Sequence, residues 1–311
     1  MPFAIGGNAR IRTNISSENA YNALESSNRS VSLRQLRLST GKRINNAADD
    51  VAGYITSRAL QARNGSLKSA LMSVGDANNI SNIIMDSLDT ISQLITKMKD
   101  GTAMATSGAM GTDEKVALAK AAYRMAEQVQ TVVDSTVFGG KQLLDGKFFA
   151  DFVIGTDASN NLLYLNIDVT TNNEELNIDS NNFNVNSLSI DNFAGVSGLD
   201  LRSLNDVSSE DLGIFSDSMV GLTLSSLADA IQNATIVASY IGGIANRLTT
   251  QEEVIKSQIT NYNAAISRLE DADVALEQLE LIKAQFLQQS SLTSLAQANQ
   301  NPQSFLQLIR G

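Results

Sequence analysis

Apolar residues recur along this chain in two patterns, and the change between them divides it. From Leu67 they fall at 67, 71, 74, 77, 84, 88, 91, 95 and 98, with only Ser81 interrupting. Such 3-4 spacing sets one side of a helix against a partner helix. A second helix is predicted from about Asp113, with Leu118, Ala122, Met125, Val129 and Val132 on one face. Thr112 and Asp113 are its candidate N-caps, since a short side-chain oxygen accepts from unpaired first-turn amides. The glycine-rich stretch Gly101 to Gly111 reads as the turn between the two.

The C-terminal third carries a heptad at Leu227, Ala234, Ile241, Leu248, Ile255, Tyr262, Leu269 and Leu276. Four residues on, Ile231, Ala238, Ala245, Ile259 and Ile266 form a companion stripe, which Glu252 and Asp273 interrupt. A heptad kept this long needs partner helices along its length, and with no proline before Pro302 it allows a single helix of about seventy residues. Gly242-Gly243 is its weak point. Leu88, Ile91, Ile95, Leu248, Ile255, Ile259, Tyr262, Ile266, Leu269 and Leu276 are the expected helix-bundle core.

The middle differs. Phe152-Val153-Ile154 and Leu162 to Ile167 are short apolar runs joined by the turn formers Gly155 to Asn161, which predicts a β-hairpin over about 149–168. Residues 170–220 are rich in Asn, Asp and Ser with scattered alternation (Phe183, Val185, Leu188, Ile190, Phe193), consistent with short strands and loops. The first forty residues place Leu24, Val31 and Leu38 seven apart among Ser and Asn. A helix with so narrow a stripe is marginal alone, so disorder is expected until neighbours cover it. Gln285 to Gly311 has the same amide-rich look. The fold class is therefore mainly α: a long antiparallel coiled-coil or helical bundle formed by both chain ends, with a small hairpin-containing middle.

Composition narrows the chemistry. The 311 residues contain no cysteine, histidine or tryptophan, which removes thiolate nucleophiles, Ser-His-Asp triads and ordinary zinc or haem sites. No enzyme and no cofactor are expected. The net charge is −10, yet residues 1–70 hold ten Arg or Lys against Glu18, Glu25, Asp49 and Asp50. No aromatic residues interleave with these cations, so charge complementarity between protein segments explains them better than nucleic acid. Met1 to Arg10 lacks the basic and apolar regions of a secretory signal, and no run of about eighteen apolar residues could span a membrane.

Particular segments carry a resemblance. Arg34 to Gly53 (RQLRLSTGKRINNAADDVAG) resembles the N-terminal signature of bacterial flagellins. Asn246 to Gly311, with NRL, SRLEDADVALE and KAQFLQQSSLTSLAQANQNPQSFLQLIRG, is similar to the flagellin C-terminus almost throughout. Phe138 to Leu144 (FGGKQLL) resembles that family's turn from the last N-terminal helix into the hairpin. The resemblance implies a secreted structural subunit that self-assembles into a hollow helical filament transmitting motor torque. It implies three regions: 1–49 with 272–311 as an inner coiled coil at the channel, 50–170 with 221–271 as a helical shell, and 171–220 as a short variable surface segment. The assembly residues it implies on the terminal helices are Leu24, Val31, Leu36, Leu38, Arg43, Asn45, Asp49, Asp50, Arg268, Glu270, Asp271, Asp273, Phe286, Leu295, Gln297, Asn299, Pro302, Leu306 and Leu308. Implied partners are further copies of the chain, a type III export apparatus with its chaperone on Phe286 to Leu308, and hook-associated and cap proteins. The filament would be extracellular, or periplasmic in an organism that encloses its flagella.

Rival readings remain. Glu270, Asp273 and Glu277 lie at i, i+3 and i+7 of a helix, which could hold a cation; an ion-pair face with Arg268 is the plainer reading. Asp49-Asp50 reads as a cap or turn rather than a catalytic dyad. Some flagellins carry a metallopeptidase in their middle, and zero histidines excludes it here. A hook–filament junction protein shares flagellin-like ends and is the alternative function; the intact ANQNPQSFLQLIRG tail favours flagellin. Two departures stand out. Met1 to Gly6 extend beyond the start of many flagellins. The positions matching those read by an animal innate-immune receptor are Lys97, Gly101 and Ala121, where the family has arginine, leucine and glutamate. Lysine lacks an arginine's planar fork, so receptor recognition should be weak or absent.

Overall fold

The structure is a computed structural model of the chain and describes residues 13–157, 161–170, 173, 176, 207–209 and 212–310, without the side chains of 214 and 301–310. Its elements are α1 (Ile15–Thr40), α2 (Val51–Ala105), α3 (Thr112–Ser135), β1 (Val137–Phe138), β2 (Lys141–Gln142), β3 (Phe149–Thr156), β4 (Leu162–Asp168), a 3-10 turn at Gly213–Phe215, α4 (Val220–Glu270) and α5 (Val274–Arg310). Two compact units are present: Met1–Asn64 with Thr260–Gly311, and Gly65–Ile259. They divide inside α2 and α4, whereas the three regions expected from the sequence change at 49/50 and 271/272.

In the second unit, α2, α3 and α4 bury their apolar stripes. Leu88, Ile91, Ile95, Leu248 and Ile255 are fully buried, each stabilising by about 1.5–3 kcal/mol relative to exposure. The helix predicted from Leu67 in fact starts at Val51, and its buried stripe uses Ala70 where the sequence pattern suggested Leu71. Ser81 does not break the stripe: it is buried with its hydroxyl donating to the Ala77 carbonyl at 2.9 Å, which satisfies the polar atom inside the helix. Residues 101–105 remain helical, so the turn is shorter than Gly101 to Gly111. The N-cap of α3 is Gly111, not Thr112 or Asp113, and the Glu114 carboxylate accepts from the Gly111 amide at 3.1 Å. Ala119, Ala122, Ala126, Val129 and Val133 are its buried face, which leaves Leu118, Met125 and Val132 half-buried.

The companion stripe of the long heptad also moves. Ala230, Val237 and Ile244 are buried, three residues after Leu227, Ala234 and Ile241, while Ile231, Ala238 and Ala245 are half-buried. Both patterns alternate steps of three and four, so periodicity alone leaves open which side of the heptad row the second buried row occupies; the packing of the unit places it three residues on, not four. Glu252 does not interrupt the seam, because it accepts from Asn78 of α2 at 3.3 Å and pairs with Lys256 at 2.6 Å. Gly242-Gly243 stays helical, and Met85 sulfur lies 4.0 Å from where a Gly242 Cβ would stand.

β3 and β4 pair antiparallel, with an irregularity between Val153 and Gly155. Gly155 and Thr156 belong to the strand, so the turn begins at Asp157. The hairpin is fixed to the helices by Ser73, whose hydroxyl accepts from the Val153 amide at 3.0 Å, and by Gln251, which donates to the Ile154 carbonyl at 2.7 Å. Before it stands a second hairpin that the sequence pattern marks only as a turn. Val137 pairs Gln142 and Phe138 pairs Lys141. Gly139 and Gly140 have φ of 57° and 81°, as the two central residues of a type I′ turn require. The strands expected around Phe183 to Phe193, and the extension Met1 to Gly6, lie outside the described residues.

The terminal helices as candidate assembly surface

In the first unit α1 packs along α5. Asn14 caps α1 by accepting from the Ser17 amide at 3.1 Å, and Gly41, at φ 67°, ends it in the left-handed conformation that glycine adopts without strain. No residue of α1 is fully buried. Leu24, Val31 and Leu38 are half-buried and Leu36 is exposed.

The loop from 41 to 50 is held by its own polar groups. Asp49 accepts from the amides of Asn45 and Asn46 at 2.9 Å each, and Asn45 donates to the Lys42 carbonyl at 2.9 Å. The donors at Asn46 and then Asn45 hold the Asp49 carboxyl below its ordinary value. Asp50 caps α2 by accepting from the Gly53 amide at 2.9 Å. A Cβ on Gly53 would stand 2.6 Å from the Asp50 carboxylate and 2.7 Å from the Ile44 side chain, so the capping carboxylate and Ile44 would both have to shift.

The seventy-residue helix allowed by the sequence is broken at 271–273. Asp273 starts α5, accepting from the amides of Ala275 and Leu276 at 2.9 and 3.2 Å. The break pairs with the loop after α1: the Arg43 amide donates to the Glu270 carbonyl at 2.6 Å and the Ala272 amide to the Gly41 carbonyl at 2.9 Å. Lys42 and Asp271 thereby form an isolated antiparallel bridge. Arg43 also donates from its guanidinium to the Leu269 carbonyl at 3.0 Å.

Because the helix breaks, Glu270, Asp273 and Glu277 do not share one continuous helical face. Asp273 and Arg268 are exposed. Glu270 is buried; its carboxylate accepts from Lys42 at 2.9 Å and Gln61 at 2.8 Å. Burial raises the Glu270 carboxyl, but the hydrogen bonds and charge of Lys42 and the bond from Ser57 outweigh it, leaving it below its ordinary value. Glu277, also buried, accepts from Arg34 at 2.8 Å and Arg37 at 3.3 Å. The two buried acids therefore pair with cations of α1 and its loop, not with Arg268, and no group of three or more His, Cys, Asp or Glu among the described residues could hold a metal ion.

Beyond Glu277 the inward side of α5 is thin. Ala284 and Ala298 are buried and Leu295 half-buried, while Gln297 and Asn299 are exposed, Asn299 accepting from Ser17 at 2.8 Å. Its outer side is apolar: Leu279 and Phe286 are 60 % and 69 % exposed, with Ile282 and Leu287 beside them. Leu276, expected in the core, is 57 % exposed, and Ile259, Tyr262, Ile266 and Leu269 are half-buried. Among the described residues, the heptad runs on past the point where a covering partner stands. The side chains of Pro302, Leu306 and Leu308 lie outside the described residues. Sequence reasoning missed Arg34, Arg37, Lys42 and Gln61; their acidic partners are more than two hundred positions away, and no local pattern marks the pairing.

A long helix pair made from both chain ends with one apolar side exposed is the surface of a protein built from helices to meet other surfaces. The family model for the bacterial flagellin N-terminal helical region matches residues 11–148, and that for the bacterial flagellin C-terminal helical region matches 224–309. A flagellin of Bacillus subtilis (strain 168) is 28 % identical over 309 residues, covering 97 % of this chain and 100 % of that one. The flagellar filament 33 kDa core protein of Treponema phagedenis is 23 % identical over 301 residues, covering 96 % and 99 %. Among solved structures, a Vibrio parahaemolyticus chain described as a flagellar hook-associated protein aligns at TM-score 0.54 with 14 % identity, over 72 % of this chain and 100 % of that one, a likeness of fold alone.

The chain belongs to the bacterial flagellins. It is a structural subunit of the flagellar filament, a member of a structural protein family.

Proposed function

We propose that the two chain ends are the surface by which this subunit builds the filament. On this reading 1–49 with 272–311 form an inner coiled coil around a hollow channel, 50–170 with 221–271 form the shell outside it, and 171–220 lie at the surface. The observation that carries it is the apolar row Leu276, Leu279, Ile282, Phe286 and Leu287, exposed on α5 of the single chain. A row this long is unfavourable in water, and covering each large side chain stabilises by about 1.5–3 kcal/mol. Neighbouring copies are the occupant that a filament subunit always has at hand. Leu24, Val31, Leu36, Leu38, Phe286 and Leu295 supply apolar contacts. Arg43, Asn45, Asp49, Asp50, Arg268, Glu270, Asp271 and Asp273 shape the root of the helix pair, and Gln297, Asn299, Pro302, Leu306 and Leu308 its far end.

The same thin seam suits export. The chain leaves the cell through the type III apparatus, its ends unfolded until neighbours cover them, while a chaperone holds Phe286 to Leu308. Cap and hook-associated proteins meet the ends of the tube. The filament is secreted, and lies outside the cell or in the periplasm of an organism that encloses its flagella. The work of the assembled tube is mechanical: it carries motor torque as a propeller for swimming.

Electron microscopy of purified chain, before and after seeding with filament fragments, tests the assembly surface. Full-length protein should form long uniform tubes, and chains lacking 1–45 or 280–311 should not. Tubes from either truncated chain would refute the role of the ends. Short stubs from the full chain would favour a hook–filament junction subunit.

A further inference from the structure

We propose that the two buried glutamates, Glu270 gripped by Lys42 and Glu277 gripped by Arg34 and Arg37, set the register in which α1 and α5 pair. The inference concerns contacts within one chain and stands whether or not the helix pair lines a channel. The need for such a device follows from the seam. On α1 its larger side chains, Leu24, Val31 and Leu38, repeat every seven residues; on α5 the facing Ala284, Ser291 and Ala298 do the same. Sliding one helix by a heptad replaces Leu by Val and Ala by Ser, and at the half-buried positions 281, 288 and 295 exchanges Leu with Gln, so only that one heptad position exchanges a large apolar side chain for a polar one. A seam of this kind specifies its register weakly.

The contacts toward the far ends of the helices do not resolve the ambiguity. Gln288 donates to Asn28 at 2.6 Å, Ser17 to Asn299 at 2.8 Å and Asn14 to the Ala298 carbonyl at 2.7 Å. Amides and hydroxyls are interchangeable here: after a heptad slip Gln288 would meet Gln35 or Tyr21 and could bond to either. The backbone bridge between 41–43 and 270–272 favours the observed register, since a heptad slip breaks its two hydrogen bonds, but amides and carbonyls of a slipped pair could form the same bonds whatever their side chains.

Glu277 is different. Its side chain is 6 % exposed, and both its partners are arginines of α1. Slipped one heptad, the places of Arg34 and Arg37 pass to Ser27 and Ser30, or to Gly41 and Ile44; the cations beside them are Arg29, exposed and paired with Glu25, and Lys42 and Arg43, which already bond Glu270 and the Leu269 carbonyl. A carboxylate buried without its cation is strongly unfavourable. Glu270 repeats the logic at the loop, where Lys42 and Gln61 occupy its two oxygens. Charge removed from water at the root thus selects one register that the apolar seam leaves degenerate.

The absence of cysteine makes the test direct. Full-length chains carrying Asn28→Cys with Gln288→Cys report the observed register; Asn28→Cys with Leu281→Cys or with Leu295→Cys report the slipped ones. Mild oxidation of assembled filaments, with within-chain and between-chain products separated by gel mobility, should favour the first pair by at least about tenfold. Adding Glu277→Gln should reduce that preference to less than about threefold. Combining Glu277→Arg with Arg34→Glu and Arg37→Glu should restore it. Unchanged selectivity in Glu277→Gln overturns the proposal. If that single variant does not assemble, recovery of both tubes and selectivity in the charge-reversed chain supports the proposal, and failure to recover overturns it.

Discussion

Leu248 and Leu276 stand four heptads apart in one sequence repeat and are equivalent by pattern, yet one is fully buried and the other 57 % exposed. Replacing each by alanine separates folding from assembly. At Leu248 the lost side chain leaves a cavity between α4 and its neighbours, a cost of about 2–5 kcal/mol. The surrounding unit, Gly65–Ile259, is of a size in which 1 kcal/mol shifts Tm by about 2–4 °C. Leu248→Ala should therefore lower the calorimetric Tm of the unassembled chain by roughly 4–20 °C. At Leu276 little is lost in the single chain, so ΔΔG should stay within about 0.5 kcal/mol and Tm within about 2 °C. Assembly should respond in the opposite sense. If a neighbouring copy covers Leu276, alanine forfeits about 1.5 kcal/mol of burial and raises the critical concentration for filament growth about tenfold. The assays are differential scanning calorimetry on monomer and sedimentation of filaments over a concentration series. A Leu276→Ala chain that melts as early as Leu248→Ala would refute the placement of the two residues. One that assembles at the unchanged critical concentration would refute the reading of the α5 surface.

Other outcomes follow from single features. Gly139→Ala or Gly140→Ala forces a Cβ into a left-handed backbone, and thermal melting should show a loss of about 1–3 kcal/mol, although neither position is sterically crowded. Gly65→Ala, inside α2 with open space around it, should stabilise by about 0.5–1 kcal/mol in the same assay. Asp49 and Glu270 both titrate below their ordinary values when folded. Their stabilisation is complete above the unfolded-state pKa of about 4 and is lost as pH falls through the lower folded values. Urea midpoints should therefore drop between pH 7 and pH 3, and drop less in Asp49→Asn or Glu270→Gln. Lys97 and Ala121 are exposed; with Gly101 they should give weak or no activation in a receptor reporter-cell assay, and full potency would refute that expectation.

Periodicity alone made the helical class, the two-ended arrangement of long helices and the hairpin legible, because each rests on local spacing: 3-4 steps on a helix, alternation and turn formers in a strand pair. Absence of histidine and cysteine removed most catalytic chemistry through composition alone. The signatures at both ends pointed to the family. What the chain could not reveal locally was decided by contacts between distant segments. The heptad did not tell where covering partners stop, so Leu276 reads like Leu248 although only the latter is enclosed. It did not reveal the break at 271–273 either, since an Asp inside a helical pattern becomes a cap only when the backbone of 41–43 stands ready to bond with Glu270 and Ala272. The cations of α1 likewise read as surface charge until the fold set Arg34, Arg37 and Lys42 beside two carboxylates removed from water. Periodicity is a property of neighbours in sequence, whereas burial and ion pairing are properties of neighbours in space.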